Sequence, residues 1–299
     1  MLAAALTRGR LRVLAYHGVD DPAAFALQLD EIAARWTTVV SSDVVNAESR
    51  HERLPANAVW ITFDDGDPSV VHHALPLLTD RGLKATAFLC GGWVDTDEVP
   101  WWLVAEAAVA NGAIAQDDLG TTERIGVLRA LKSLPDPDRR SMTETLSRRL
   151  ASVGAPVAGA QWTSDDVRRW LAAGMEIGNH TWDHPRLDRC APDAQVEQVR
   201  RAHERLTEIV GAPIDVFAWP NGDPAPAAAD ELKRLGYRIV LPCEHRVAAR
   251  HPNLHALSRL RIDAHAPMVR FRSIISGGHS AVFHLQRRLG KGGVPDAVT

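Results

Sequence analysis

An apolar run in "VWITFDDGDPSV" climbs to Phe63 and ends on two adjacent carboxylates, Asp64 and Asp65, before Gly66 turns the chain. Neighbouring carboxylates at a strand end repel each other and lose solvation, so the pair calls for a compensating charge. A second stretch, "EIGNHTWDHPRL", places His180 and His184 four residues apart. That spacing can bring two imidazoles to one face of a turn. No glutamate follows His180, so this is not the HExxH helix of the zincins. Taken alone, "FDDG" reads equally well as a helix N-cap with a turn, and the histidines as two surface or capping groups. Taken together, the stretches supply two imidazoles and a carboxylate. Such a set holds a divalent cation and leaves positions open for water and substrate.

The elements that must position these groups follow from the hydrophobic pattern. "LRVLAYH", "AVWITF", "KATAFLCGG", "MEIGNH", "VFAWP", "YRIVLP" and "LSRLRID" read as strands. Between them, "FALQLDEIAARW", "VVHHALPLLTDRG" (closed by Gly82), "TSDDVRRWLAAG" (capped at Thr163 or Ser164), "PDAQVEQVRRAHERLTEIVG" and "AAADELKRLG" read as helices. "TTVVSSDVV" reads as a strand and a turn. About seven strands alternating with helices predict an α/β protein, and a distorted (β/α)7 barrel fits better than an open sheet. His17, Asp64, Asp65, His180 and the run Pro220-Asn221-Gly222 all fall at strand C-terminal ends, the face on which β/α barrels build their sites. Residues 97–159 break the rhythm with three helical stretches and are expected to form a helical insertion within a barrel domain spanning 10–265. A C-terminal helix and flexible tail are expected over 266–299.

The 299-residue chain is 45% hydrophobic, which suits a packed globular domain, and its net charge of −3 supplies no basic field for nucleic acid. Cys90, Cys190 and Cys243 lie far apart with no CxxC pair, which points to structural thiols in a reducing compartment. "LAAAL" is too short for a signal-peptide core, and no stretch approaches the roughly 18–20 apolar residues of a membrane span. The expectation is a cytoplasmic protein without a transmembrane segment; its oligomeric state is left open.

"TFDDG", "HTWDH" and "FAWPNG" resemble the first three motifs of the polysaccharide deacetylases, carbohydrate esterase family 4, the NodB-homology domain. The flanking phrases "LPLLTDRGLKATAFL" and "LAAGMEIGNHT" agree, and the resemblance runs from Arg12 to Asp263 outside the insertion. It implies a distorted (β/α)7 barrel that hydrolyses an N-acetyl group on a sugar. It also implies a divalent metal, zinc before cobalt, nickel or manganese, held by Asp65, His180 and His184, with Asp64 as the general base. "LAYHGV" is similar to the circularly permuted members, in which a histidine at the end of the first strand protonates the leaving amine, so that role falls to His17. His284 in "AVFHLQRRL" lies past the last strand and is a poorer candidate.

The third motif departs from the common form: the arginine that orients the base in many members is missing before Trp219 and Pro220. Arg259 or Arg261 is the candidate replacement. Trp182, Trp219, Pro220, Asn221 and Gly222 are expected to contact substrate, the Pro-Asn-Gly backbone to offer an amide to the oxyanion, and Trp101 and Trp102 to be possible pocket walls. Asp183 is a candidate partner for a ligand histidine, and Asp67 a cap for the next helix. The expected substrate is an amino sugar in a polysaccharide, glycolipid or activated precursor. Two other readings compete: another C–N hydrolase on the same fold, such as a deformylase or ureide amidase, and a degenerate, non-catalytic glycan-binding protein.

Overall fold

The computed structural model describes residue 7 and residues 9–280. Eight parallel strands form one curled sheet: β1 Arg12–Tyr16, β2 Thr37–Thr38, β3 Ala58–Phe63, β4 Ala85–Leu89, β5 Glu176–Asn179, β6 Val216–Ala218, β7 Ile239–Leu241 and β8 Leu260–Arg261. Seven of them follow the order β7-β6-β5-β4-β3-β1-β8, while the two-residue β2 pairs with the start of β3. This is the expected (β/α)7 barrel, and its distortion has a location. β5 and β6 share a single registered pair, Asn179 with Phe217. The two ends of the sheet meet through two backbone hydrogen bonds, Leu257 N to Val240 O (3.2 Å) and Arg259 N to Pro242 O (3.3 Å).

Strand alternation sorts the apolar residues into two sets. Val13, Trp60, Phe88, Val216, Ala218, Ile239 and Leu241 pack together inside the curl. Leu14, Tyr16, Ile61, Phe63, Leu89, Ile177 and Phe217 pack against the surrounding helices. The interior is tight enough that a Cβ on Gly178 would lie 2.4 Å from the Phe88 ring. Hence only the last inward positions of each strand open toward the barrel mouth.

"SSDVV" departs from the expected turn: Ser41–Ser49 is a helix. Its first amides are satisfied from two places. Asp43 accepts from Val40 N (3.0 Å), and the Glu176 carboxylate on β5 accepts from Ser41 N (2.8 Å). The second partner is distant in sequence, so no local pattern announced the helix.

The 97–159 segment contains the helices Trp101–Ala110, Gln116–Leu119, Arg124–Ser133 and Asp136–Ser152. They bury a small apolar core of their own, including Val104, Val127, Leu131, Leu146 and Leu150, which joins the barrel through Cys90 and Trp93 at the end of β4. After β8 comes the helix Met268–Ile275. The expected tail and His284 lie outside the described residues. Among the described residues, no helix is long and apolar enough to cross a membrane.

Candidate active site

The inward phase of β3 runs Ala58, Trp60, Thr62 and then Asp64, so strand geometry alone aims Asp64 at the mouth. It is buried, and Arg259 Nη1 donates to its Oδ1 at 2.6 Å. Continued alternation would send Asp65 outward. Instead Asp65 adopts φ +72° and Gly66 φ +83°. Two consecutive left-handed residues reverse the phase and bring both carboxylates to one side. A non-glycine residue there is strained, and a Cβ on Gly66 would also crowd Leu89 Cδ2 at 3.2 Å.

His180 follows β5 in its inward phase, and His184 is returned to it by a strained loop. Thr181 and His184 have φ of +75° and +56°. Side chains of the same segment hold this loop: Thr181 N donates to Asn179 Oδ1 (2.7 Å), and His184 N donates to Thr181 Oγ1 (3.2 Å). His180 Nδ1 lies 2.8 Å from Ala218 O. A carbonyl only accepts, so Nδ1 carries the proton and Nε2 is the atom turned to the cavity, where burial is outweighed by Asp64 and Asp65, which raise the His180 pKa.

Three ligand atoms then converge. Asp65 Oδ1 is 3.2 Å from Nε2 of His180 and 3.2 Å from Nε2 of His184. Yet this buried oxygen accepts no well-formed hydrogen bond. Among the described residues, this is the group of three whose donor atoms all lie within 4.8 Å of one another. An orphaned carboxylate oxygen between two imidazole Nε2 atoms fits a divalent cation.

The electrostatics support that division. Burial pushes the Asp64 carboxyl up, but Arg259 and His180 outweigh it and hold it below the usual range. Burial likewise opposes ionisation of Asp65, and His184, the contact with His180 and His17 together win, leaving it ionised. Burial drives His184 down to about 3 against the pull of Asp65, so its imidazole is neutral. Burial also lowers His17, with Asp65 opposing.

One cavity gathers His17, Asp64, Asp65, His180, His184, Trp219, Asn221, Gly222 and Arg259, the barrel's contribution. Trp101, Trp102, Leu128 and Lys132 line it from the insertion. Trp102 meets the His184 ring edge-on (5.0 Å between centroids) and Trp93 stacks beside it (6.3 Å). Arg259, not Arg261, is the residue that bonds to Asp64.

Several sequence expectations are corrected here. Trp182 does not line the cavity: its indole fills the space beside Gly92, where a Cβ would sit 2.5 Å from Trp182 Cε2, and the Arg201 guanidinium covers it at 3.9 Å. Pro220 shapes the turn without reaching the wall. The Gly222 amide is already bonded to Trp219 O (2.9 Å), so it is not free for an oxyanion. Asp183 engages Arg140 of the insertion through two 2.8 Å bonds instead of a ligand histidine. Asp67 does accept from Ser69 N (2.8 Å) at the start of the next helix. Lys132, Leu128 and Cys243 were missed; "ALKSL" reads as an ordinary amphipathic helix, and nothing in it signals a cavity.

Comparison with known proteins agrees with this geometry. The polysaccharide deacetylase family model matches residues 51–240. Poly-beta-1,6-N-acetyl-D-glucosamine N-deacetylase of Escherichia coli K12 is 27% identical over 204 residues, which is 65% of this chain and 26% of the relative. The chain thus spans about a quarter of the length of that curated relative. Two solved structures share the fold. IcaB from Ammonifex degensii has TM-score 0.62 and 20% identity, covering 90% of this chain and 96% of its own. The Streptococcus pyogenes deacetylase PplD in complex with acetate has TM-score 0.59 and 19% identity, covering 86% and 93%. With the family model matching well over half of its length, the chain belongs to the polysaccharide deacetylase family.

Proposed function

We propose that the protein is a metal-dependent hydrolase that removes an N-acetyl group from an amino sugar. The observation that carries this reading is the pairing of two different carboxylate environments on consecutive residues: Asp65 Oδ1 facing the Nε2 atoms of two imidazoles, and Asp64 held by a guanidinium.

Asp65, His180 and His184 would hold a divalent ion, zinc before cobalt, nickel or manganese. When bound, the ion supplies Lewis acidity, polarising the acetamide carbonyl and acidifying water. Asp64, ionised and fixed by Arg259, is placed to take the proton of the attacking water. His17, on the neighbouring strand end, is placed to deliver a proton to the departing amine. Trp101, Trp102 and Trp219 wall the cavity, limiting bulk water around the developing charge. Arg259, the residue just before β8, also supplies what the third motif lacks, which favours a working site over a degenerate one.

The name of the Escherichia coli relative suggests N-acetylglucosamine units as the substrate; a polymer, a glycolipid and an activated sugar all remain compatible with the cavity. Metal content by mass spectrometry, together with release of acetate against formate and ammonia from acetamido sugars, tests the reading. A stoichiometric divalent ion and acetate release are expected; formate or ammonia as the product would replace the reaction class.

A further inference from the structure

The two histidines of the site are held in different ways. The His180 ring is fixed by a bond within the barrel, Nδ1 to Ala218 O at 2.8 Å. His184 Nδ1 is buried and meets no hydrogen-bond partner among the described residues. Imidazoles that bind a metal are ordinarily oriented by a bond at the second ring nitrogen, so His184 takes its position from the backbone of its loop and from ring contacts. That backbone is gripped from outside the barrel. Arg140, on the insertion helix Asp136–Ser152, donates from Nη1 and Nη2 to the two carboxylate oxygens of Asp183, each at 2.8 Å. Asp136, one turn earlier on that helix, accepts from Arg140 Nε at 2.7 Å and fixes the guanidinium plane. From the other side, Gln198 on the helix Pro192–Val210 donates to Asp183 Oδ1 (2.9 Å) and accepts from Trp182 N (3.1 Å) and Asp183 N (3.2 Å).

Resting on the metal-dependent reading, we propose that Arg140 is a positioning residue for the metal site: its two bonds to Asp183 hold the 181–184 loop in the form that presents His184 Nε2 to Asp65. Thr181 and His184 both have left-handed backbones. Such strain relaxes unless the surroundings over-determine it. The bonds to Asn179 Oδ1 and Thr181 Oγ1 supply part of that restraint from within the segment. Arg140 adds the rest from a distant helix, and its planar fork on both carboxylate oxygens sets a direction that a point charge would not. Asp183 directly precedes His184, so a shift at its carboxylate reaches the ligand through one peptide unit. The insertion supplies none of the three ligands, yet through this clamp it sets how tightly the barrel holds its metal. The sign of the effect separates positioning from simple electrostatics. Removing the Arg140 cation and freeing an anion beside the site would, by charge alone, favour binding of a second cation. Loss of positioning weakens it instead.

The test is zinc affinity, measured by competition with a chromophoric chelator. Wild type, Arg140→Ala, Arg140→Lys and Arg149→Ala are compared, with thermal melts to establish folding. Arg149 lies on the same helix and pairs with Asp118 inside the insertion, at a side-chain exposure of 40% against 45% for Arg140. It therefore reports what a merely structural ion pair does. Arg140→Ala should bind zinc about tenfold more weakly, the low end for an outer partner of a metal ligand. Arg140→Lys should recover part of the loss, and Arg149→Ala should bind as wild type does. In an Asp183→Ala background, Arg140→Ala should cost nothing further. Unchanged or tighter zinc binding in Arg140→Ala, an equal loss in Arg149→Ala, or full additivity with Asp183→Ala overturns the proposal. Should wild type bind no divalent ion, the metal-dependent reading fails by itself. The clamp is then judged by deuterium exchange at the amides of residues 181–184. Faster exchange in Arg140→Ala but not in Arg149→Ala supports it; equal exchange in wild type and both variants sinks it.

Discussion

The cavity has two walls built on opposite principles. The barrel wall carries the ionisable groups: Asp64, Asp65, His180, His184 and Arg259 are buried or nearly so, each set by a strand end or a left-handed residue. The insertion wall is mostly aromatic and aliphatic, with Trp101, Trp102 and Leu128 on helices and a single cation, Lys132, beside them. Chemistry needs groups fixed to a fraction of an ångström, and strand ends in a packed barrel provide that. Shape and discrimination need surface that can differ between relatives, and a packed insertion provides it without disturbing the barrel. The walls meet at the His184 ring, edge-on to Trp102, and at the Arg140–Asp183 pair.

If this division holds, variants of the barrel wall should strike kcat and variants of the insertion wall should strike KM and stability. The largest effect belongs to Asp65→Ala, which should abolish both metal retention and turnover; full metal occupancy measured by mass spectrometry would break the comparison at its base. Asp64→Asn should keep the metal and lower kcat by about 10²–10⁴-fold, the usual worth of a positioned base. Arg259→Ala leaves the Asp64 carboxylate buried and unpaired. A loss of about 3–5 kcal/mol in urea unfolding is expected, together with a fall in kcat that Arg259→Lys recovers in part. On the other wall, Leu128→Ala should cost about 2–3 kcal/mol of stability and raise KM more than it lowers kcat; a pure kcat defect would contradict the division. Arg140→Ala is the mildest. The guanidinium is about half-exposed, so at most about 1 kcal/mol should be lost, checked by the denaturation midpoint.

The left-handed residues show how far local sequence reaches. Four of the seven described non-glycine residues with positive φ are Asp65, Thr181, His184 and Asn221, all in the site's motifs. The sequence marks those motifs by residue type but does not display the strain: asparagine, aspartate and histidine tolerate that region without demanding it, and nothing local singles out the β-branched Thr181 for it. Trp182 teaches the reverse. It lies inside the HTWDH stretch, yet its indole is turned away under Arg201, since adjacency in a strained loop does not fix where a side chain points.

Read alone, the sequence determined the barrel, the order of its strands along the chain and the cluster of chemistry-bearing side chains at their C-terminal ends. Those features are written in local periodicity and in short motifs. Tertiary structure alone decided between Arg259 and Arg261, turned Ser41–Ser49 into a helix capped by Glu176, and brought Lys132 and Leu128 into the cavity. The Arg259–Asp64 bond joins residues 195 positions apart. Contacts at such separations arise from how the sheet curls and closes, and leave no periodic trace in the residues that make them.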